Sequence, residues 1–364
     1  MPDKTFKINP PRIFFITAAA AAILAVLIFI TGRTRNVQVH FFCADYSIVY
    51  PNTVRFYTGK YLDERGITHQ DYDGSNNQAV QSEQIFSTLS RNPRIIVLGQ
   101  ADATSLNASD RITEAASQHD TYVIFYSAEV PDEAINHYDR AVFLGSQIEE
   151  AGIIQGNMIG KYLLEHYEEA DLNHDGKISY MLLKGMEGNP EAEARTKYSV
   201  ETANGILTAA GYPELVFYDS SNPDKFLVDR NGRWSASAAN EYMSSALVRY
   251  CDANNNMIEL VISNNDDMAG GAITALNAVG YNTGTGDKYI PVYGVDATEN
   301  ARILIRNGCM EGTVLQDADK TGLTIAQICD NVLHGRDMLY GLDDIPIDED
   351  CRKLRIHYAE YTGD

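Results

Sequence analysis

Short apolar runs alternate with amphipathic stretches along almost the whole chain, and this alternation restricts the possible folds more than any other feature. The runs at 95–98 and 122–126 are largely apolar, which is typical of strands buried on both faces. Stretches with helical spacing lie between such runs. Because a helix between two strands returns the chain to the same end of the sheet, the strands pair in parallel. The pattern therefore predicts an α/β fold.

The predicted elements form two successive α/β units of similar size, which in a chain of 364 residues indicates two doubly wound domains. Strands are predicted at 37–42, 67–72, 95–98, 122–126, 141–144, 180–184, 215–218, 258–263, 290–295 and 313–315. Helices are predicted at 52–65, 78–90, 112–118, 147–168, 191–210, 235–252, 268–279, 299–307 and 323–334. The less regular tail at 348–361 is a candidate for an edge strand.

Polar side chains follow four of the predicted strands. They are Asp45, Ser127 with Glu129, the Asn-Asn-Asp sequence at 264–266, and Asp296. In doubly wound sheets, ligands bind beyond the carboxyl ends of the strands, where these residues would meet. For each one alone, a helix N-cap is an equally good interpretation. Their recurrence at four strand ends predicts a polar cleft.

The segment 171–179 has the spacing of a calcium-binding loop, with side-chain oxygens at every second position followed by Gly176 for a sharp turn. The twelfth position, where an EF-hand has a bidentate glutamate, is Leu182. A remote carboxylate must therefore complete the ligand set, and an Asx-rich turn without metal is the alternative. The candidate ligands in the loop are Asp171, Asn173, Asp175, the main-chain carbonyl of Lys177, and Ser179.

A second polar group opens the predicted helix at 191–210. Asn189 and Glu191 suit the N-terminus of a helix, as a cap and as an anion near its positive end. Arg195 carries a planar fork of donors that matches hydroxyl pairs or carboxylates. The only tryptophan, Trp234, precedes a predicted helix, where its ring either stacks on a sugar or packs in the core.

Composition and the lack of motifs exclude several classes of function. A net charge of −21 argues against binding of nucleic acid, whose phosphates need lysine and arginine. The sequence has no Gly-x-Ser-x-Gly elbow, no glycine-rich phosphate loop and no His-Glu-x-x-His pair, so no enzyme chemistry is indicated. The chain has five cysteines, an odd number, and no Cys-x-x-Cys pair, so neither a zinc site nor a dense disulfide framework is indicated. We therefore expect buried free thiols.

The N-terminus predicts a membrane anchor. An uncharged run at 13–32 follows Lys4, Lys7 and Arg12, and twenty helical residues span about 30 Å, the thickness of a bilayer core. The run ends in bulky residues, so an uncleaved signal anchor is favoured over a cleaved signal peptide, which remains the alternative.

Several motifs occur together with the predicted calcium-binding loop at 171–179. They are Leu-Leu-Lys-Gly at 182–185, Ala-Glu-Ala-Arg at 192–195, and Gly-Val-Asp at 294–296. With them, the chain resembles the galactose- and glucose-binding type I periplasmic binding proteins over residues 37–361. The resemblance implies two doubly wound parallel-sheet domains, joined by a three-stranded hinge and closing over a monosaccharide. It implies one lobe of 36–145 plus 318–345 and another of 146–317 plus 346–364, after a stub and transmembrane anchor at 1–35.

The resemblance also implies site residues. Glu259 matches the family's remote calcium ligand, and Tyr46 is a candidate for its second stacking aromatic. The chain departs from the family at four sugar positions, where the family has Asn for Ser127, His for Asn189, Asp for Glu191 and Asn for Gln316. The full implied sugar-binding set is Asp45, Ser127, Asn189, Glu191, Arg195, Trp234, Asn265, Asp296 and Gln316.

The resulting expectation is a monomeric, membrane-anchored extracytoplasmic protein without enzyme activity. It would contain a structural Ca²⁺, bind a galactose- or glucose-like monosaccharide by hinge closure, and deliver it to an ABC permease. The alternative partner is a membrane sensor, either a histidine kinase or a chemoreceptor, with no role in transport. No nucleic acid is expected as a partner.

Overall fold

Two β-sheets organise the chain, in a computed structural model that describes residues 37–102, 105–285 and 288–363. The first sheet is wholly parallel, with strand order β12-β5-β4-β3-β1-β2. Its register aligns Val39 with Ile95 and Ile95 with Tyr122. The strands are β1 Val39–Cys43, β2 His69–Asp73, β3 Ile95–Leu98, β4 Tyr122–Tyr126, β5 Ala141–Gly145 and β12 Lys353–Arg355.

The second sheet has the order β13-β11-β10-β9-β6-β7, with β8 also pairing with β6. Its strands are parallel except for β13, which runs antiparallel to β11. The strands are β6 Ser179–Lys184, β7 Val216–Phe217, β8 Leu227–Val228, β9 Leu260–Ser263, β10 Val292–Asp296, β11 Gly312–Leu315 and β13 Ala359–Tyr361.

Helices cover both faces of each sheet. Successive strand residues point to opposite faces, so the uniformly apolar strands need apolar partners on both sides. In the first sheet, Phe41 and Val97 pack with α1 and α10, whereas Phe42 and Ile96 pack with α2 and α3. The helices are α1 Val49–Glu64, α2 Gln78–Leu89, α3 Leu106–Gln118, α4 Asp132–Asn136, α5 Glu150–Ala170, α6 Pro190–Ala209, α7 Ala236–Leu247, α8 Asp266–Ala278, α9 Glu299–Arg306 and α10 Ala318–Leu333.

The chain crosses between the two lobes three times: between β5 and α5, between β11 and α10, and between β12 and β13. The predicted division differs from this topology in one respect, because it assigns 346–364 wholly to the second lobe. In the structure, Lys353–Arg355 forms an edge strand of the first sheet, beside β5. The tail therefore contributes one strand to each sheet.

Other boundaries also differ from prediction. The helix predicted at 235–252 ends at Leu247; Cys251 is extended, and a short 3₁₀ turn follows at Asp252–Asn254. α4 and β8 were not predicted, and α3 begins six residues before its predicted start. All five cysteines are free thiols; four of them are buried, as predicted, whereas Cys251 is partly exposed.

The predicted membrane span at 13–32 lies outside the described residues. Within 37–102, 105–285 and 288–363, no helix is long and apolar enough to cross a bilayer.

Candidate functional site

A cleft of about 700 Å³ opens between the lobes, at the carboxyl ends of strands from both sheets. Eight of the nine predicted sugar-binding residues line it. Three residues of the cleft wall have the positive φ angles that L-residues rarely adopt, with values of 69° for Ser127, 56° for Trp234 and 117° for Asp296. Such backbone strain concentrates at ligand sites. The eight residues are Ser127, Asn189, Glu191, Arg195, Trp234, Asn265, Asp296 and Gln316.

Asp45 is the predicted residue that does not line the cleft, where its neighbour Ala44 is found instead. Its carboxylate is buried beneath the wall, and Oδ1 accepts a hydrogen bond from the Ser47 amide at 2.7 Å. Oδ2 lies 4.0 Å from the Arg233 guanidinium, on the opposite lobe. The turn after β1 therefore directs Asp45 toward the contact between the lobes.

Arg195 organises the floor of the cleft. It extends from the second turn of α6 and is buried, with 4% of its surface exposed. Its guanidinium donates to the main-chain oxygen of Asn264 (2.8 Å), to Gln316 Oε1 (3.1 Å) and to the Tyr358 hydroxyl (3.0 Å). It also lies 4.0 Å from Asp296 Oδ1. These contacts leave Arg195 Nε buried without a partner.

The start of α6 combines a helix cap with a contact between the lobes. Asn189 Oδ1 caps the helix by accepting from the Ala192 amide at 2.9 Å, and Pro190 occupies the first turn. Glu191 Oε1 accepts from the Glu129 amide of the first lobe at 3.0 Å, while Oε2 is buried without a partner. Burial raises the pKa of the Glu191 carboxyl. Glu191 thus links the two lobes through Oε1 and keeps Oε2 available to accept a hydrogen bond.

Asn265 and Asp296 follow neighbouring strands of the second sheet. Asn265 caps α8 through the Met268 amide (3.0 Å) and donates from Nδ2 to the Trp234 carbonyl (3.1 Å). Asp296 ends β10, and its Oδ1 is buried without a hydrogen-bond partner. Burial raises the pKa of Asp296 well above its ordinary value, and Arg195 opposes this shift.

Trp234 forms one wall of the cleft, and Gly185 lies directly behind its ring. A Cβ atom built on Gly185 would lie 2.1 Å from the Trp234 ring. The Asp229 carboxylate holds the turn by accepting from the Ser235 amide (3.0 Å) and hydroxyl (2.7 Å). Packing from behind therefore fixes the ring in the cleft wall, where one face is available to a ligand.

Several cleft residues were not predicted. The first helix begins at Val49, three residues before its predicted start at residue 52. The sequence pattern therefore gave no reason to expect residues 48–50 in the wall of a ligand site. Tyr46 does not line the cleft, since its ring packs under the Arg55 guanidinium at 4.6 Å. The unpredicted lining residues include Ile48, Tyr50, Asn76, Gln100 and Met186.

Two polar residues that follow predicted strands have structural contacts instead. The Glu129 carboxylate accepts from Lys353 Nζ and Arg355 Nη1, each at 2.6 Å, and so neutralises the buried cations of β12. Asn264 Oδ1 accepts from the Gly185 amide at 3.2 Å. Neither residue lines the cleft.

The predicted calcium loop is joined to Glu259, the residue just before β9. Glu259 Oε1 accepts from the Asn173 amide (3.2 Å) and Oε2 from the Ser179 amide (2.8 Å). Asp171 Oδ2 accepts from the Gly176 amide at 2.8 Å. Among residues 37–102, 105–285 and 288–363, no three His, Cys, Asp or Glu side chains are grouped as a metal site, and no cation pairs with the two buried carboxylates, Asp171 and Glu259.

Comparison with known proteins identifies the family. A model of the periplasmic binding protein domain matches residues 41–337, which is most of the chain. The D-galactose/methyl-galactoside binding periplasmic protein of Haemophilus influenzae is 34% identical over 271 residues, covering 74% of this chain and 73% of that protein. The chain belongs to the periplasmic binding protein family.

Solved structures of other periplasmic binding proteins share the fold. An ABC transporter solute-binding protein from Bacillus halodurans, with bound myo-inositol, matches with a TM-score of 0.65 and 20% identity, over 91% of this chain and 96% of that one. A solute-binding protein from Actinobacillus succinogenes, with bound D-allose, matches with a TM-score of 0.66 and 15% identity, over 90% and 97% of the two chains. At these identities the likeness concerns the fold, and it agrees with the type I architecture of two parallel-sheet lobes.

Proposed function

We propose that this protein is an extracytoplasmic solute-binding protein that encloses a monosaccharide between its lobes and delivers it to an ABC permease. The observation that carries the proposal is a set of buried polar atoms without partners along the cleft: Glu191 Oε2, Arg195 Nε and Asp296 Oδ1. A buried polar atom without a partner is costly, so a ligand that supplies the missing hydrogen bonds binds strongly.

The chemistry of these atoms favours a polyol. Two carboxylate acceptors need hydroxyl donors, and the Arg195 donor needs an oxygen acceptor, which a sugar ring or hydroxyl provides. Trp234 presents an aromatic face to the apolar side of such a ring. The names of a galactoside-binding relative and of fold neighbours with bound myo-inositol and D-allose support this ligand class.

Contacts between the lobes support binding by hinge closure. The Glu129 amide meets Glu191 across the cleft, and Asn76 Nδ2 donates to the Asn231 carbonyl at 3.2 Å. The lobes are covalently joined only by the three chain crossings, so their other contacts can separate when the cleft opens. A closed cleft excludes water, which strengthens each hydrogen bond to the ligand.

A thermal-shift screen of monosaccharides and cyclitols tests the proposal. We expect galactose, glucose or a close relative to raise the melting temperature, because a ligand that binds only the folded state stabilises it by mass action. If no sugar or cyclitol raises the melting temperature, the proposal is wrong. Delivery to a permease, rather than to a histidine kinase or chemoreceptor, would be tested by reconstituting uptake with the permease encoded nearest to this protein.

We also propose a structural Ca²⁺ in the loop at 171–179. The uncompensated carboxylates of Asp171 and Glu259 fit a cation, and the oxygens of this region suit calcium. Bound there, the ion would neutralise the carboxylates and tie the loop to β9. The residues that would hold it are Asp171, Asn173, Asp175, the carbonyl of Lys177, Ser179 and Glu259. Loss of thermal stability on chelation tests the site.

The N-terminal run at 13–32 is proposed as the membrane anchor. Fractionation of cells that express the full chain tests this, because an uncleaved anchor keeps the protein in the membrane pellet after washing with high salt. Release of the whole population as a shortened soluble form would contradict it.

A further inference from the structure

The turn after β10 is strained at a residue that faces the ligand. Asp296 has a φ of 117° and Ala297 a φ of 52°, two consecutive non-glycine residues in the left-handed region. This conformation persists only where surrounding contacts hold it. The contacts responsible therefore also set the direction of the Asp296 carboxylate, whose Oδ1 is unpartnered in the cleft.

These contacts come from a residue outside the cleft. Asp266 is the first residue of α8, is only 1% exposed, and does not line the cleft. Its Oδ2 accepts from the Thr298 amide at 2.7 Å, just beyond the strained pair. Its Oδ1 accepts from the Thr313 hydroxyl on β11 at 2.5 Å.

The hydrogen bonds of Asp266 to Thr298 and Thr313 form a clamp on the turn, and Thr313 extends this clamp to the strained residues. Its Oγ1 accepts from the Ala297 amide at 3.4 Å while it donates to Asp266. The clamp also leaves no space beside the strand that leads into the turn, since a Cβ atom on Gly294 would lie 2.3 Å from Asp266 Oδ1. The carboxylate and the hydroxyl thus hold the turn from both sides.

We propose that Asp266 and Thr313 are positioning residues for ligand binding, which act by holding Asp296 in its strained orientation. The inference rests on the proposed function, because it assumes that Asp296 accepts a hydrogen bond from the bound sugar. It assigns affinity to two side chains that do not touch the ligand.

Thr313 offers the cleaner test, because Thr313→Val keeps the shape of the side chain and removes only the hydroxyl. We expect Thr313→Val to weaken sugar binding about tenfold in calorimetric titration, the loss of roughly one buried hydrogen bond. Thr313→Ser keeps the hydroxyl and should bind within about threefold of wild type. The matched control is Thr324→Val on α10, which removes another buried hydroxyl, bonded to the Lys320 carbonyl at 2.8 Å.

Melting temperatures separate positioning from general stability. We expect both variants to remain folded at the temperature of the titration, with only Thr313→Val losing affinity. Sugar affinity of Thr313→Val within twofold of wild type, or an equal loss in Thr324→Val or Thr313→Ser, would overturn the inference and leave the proposed function intact. A wild type that binds no sugar would overturn the proposed function, and the inference with it.

Discussion

Trp234 and Gly185 show how one residue without a side chain sets the shape of the cleft. The Trp234 ring occupies the space where a Cβ atom on Gly185 would be, so the backbone of β6 and the ring are in direct contact. The absence of a side chain on Gly185 therefore determines how deep the Trp234 ring lies in the cleft wall.

Replacing Gly185 by Ala should displace the ring and weaken sugar binding at least about tenfold, because the stacking surface moves into the ligand's space. Isothermal titration measures the change. Gly205→Ala is the control, since nothing lies within 4 Å of its Cβ position on α6, and it should raise the free energy of unfolding by about 0.5–1 kcal/mol. Unchanged affinity in Gly185→Ala would show that the ring does not stack on the ligand.

Asp296 should make sugar affinity depend on pH. Burial raises its pKa, with Arg195 opposing this and Asp266 and Asp267 adding to it. The ionised carboxylate is the better acceptor, so protonation competes with binding and affinity should fall as the pH is lowered through the raised pKa of Asp296. Asp296→Asn should bind more weakly and with a flatter pH profile. An equally steep profile in Asp296→Asn would assign the pH dependence to another group.

Of the eight predicted residues that line the cleft, Ser127, Asn265 and Asp296 could be predicted from their place after strands, whereas the others were selected by the resemblance to the family. Asp45 could not be placed, because the direction of its side chain depends on the turn formed by Ser47 and on a contact with Arg233 from the other lobe. The apolar wall from Ile48 and Tyr50 was missed because apolar residues carry no signal that separates a ligand wall from a core.

At the scale of secondary structure elements, the apolar runs predicted the sheets well and the charged strand β12 poorly. Lys353 and Arg355 are buried, which is unusual for these residue types. Burial is possible because Glu129, Asp132 and Asp348 surround them with carboxylates. Asp348 is a near neighbour in sequence, but no pattern within β12 reveals Glu129, which lies 224 residues from Lys353.

Glu129→Gln should therefore lower the free energy of unfolding by about 3 kcal/mol, because it leaves two buried cations undercompensated. Urea denaturation measures this change. The control Glu133→Gln removes an exposed carboxylate from the neighbouring helix α4 and should change stability by less than about 0.5 kcal/mol. Equal stability of the two variants would contradict a structural role for Glu129.

The loop at 171–179 makes a separate prediction about β9. If Ca²⁺ is bound, chelation should lower the melting temperature of the wild type, and Glu259→Gln should melt at the chelated temperature and no longer respond to chelator. Glu201→Gln, an exposed carboxylate on α6, should keep the full response. A wild type that is insensitive to chelator would mean that the loop is an Asx-rich turn without metal.

At the scale of the whole molecule, the arrangement of the two lobes decides the function. The two α/β units were visible in the sequence, but their contact was not, because it depends on single atoms such as the Glu129 amide and Glu191 Oε1. In the proposed function, the three crossings would allow the lobes to open, and the paired polar groups across the cleft would favour closure over a ligand.

Isothermal titration with galactose, glucose and a panel of other monosaccharides and cyclitols, in buffer containing calcium and with Arg195→Ala compared, tests the central claim most directly. Arg195 contacts the cleft floor through three hydrogen bonds, so its removal takes away both a ligand donor and the anchor of Gln316. We predict saturable binding of one sugar per chain by the wild type and a loss of at least about a hundredfold in Arg195→Ala. Absence of binding heat for every monosaccharide and cyclitol, or equal affinity in Arg195→Ala, would contradict the account.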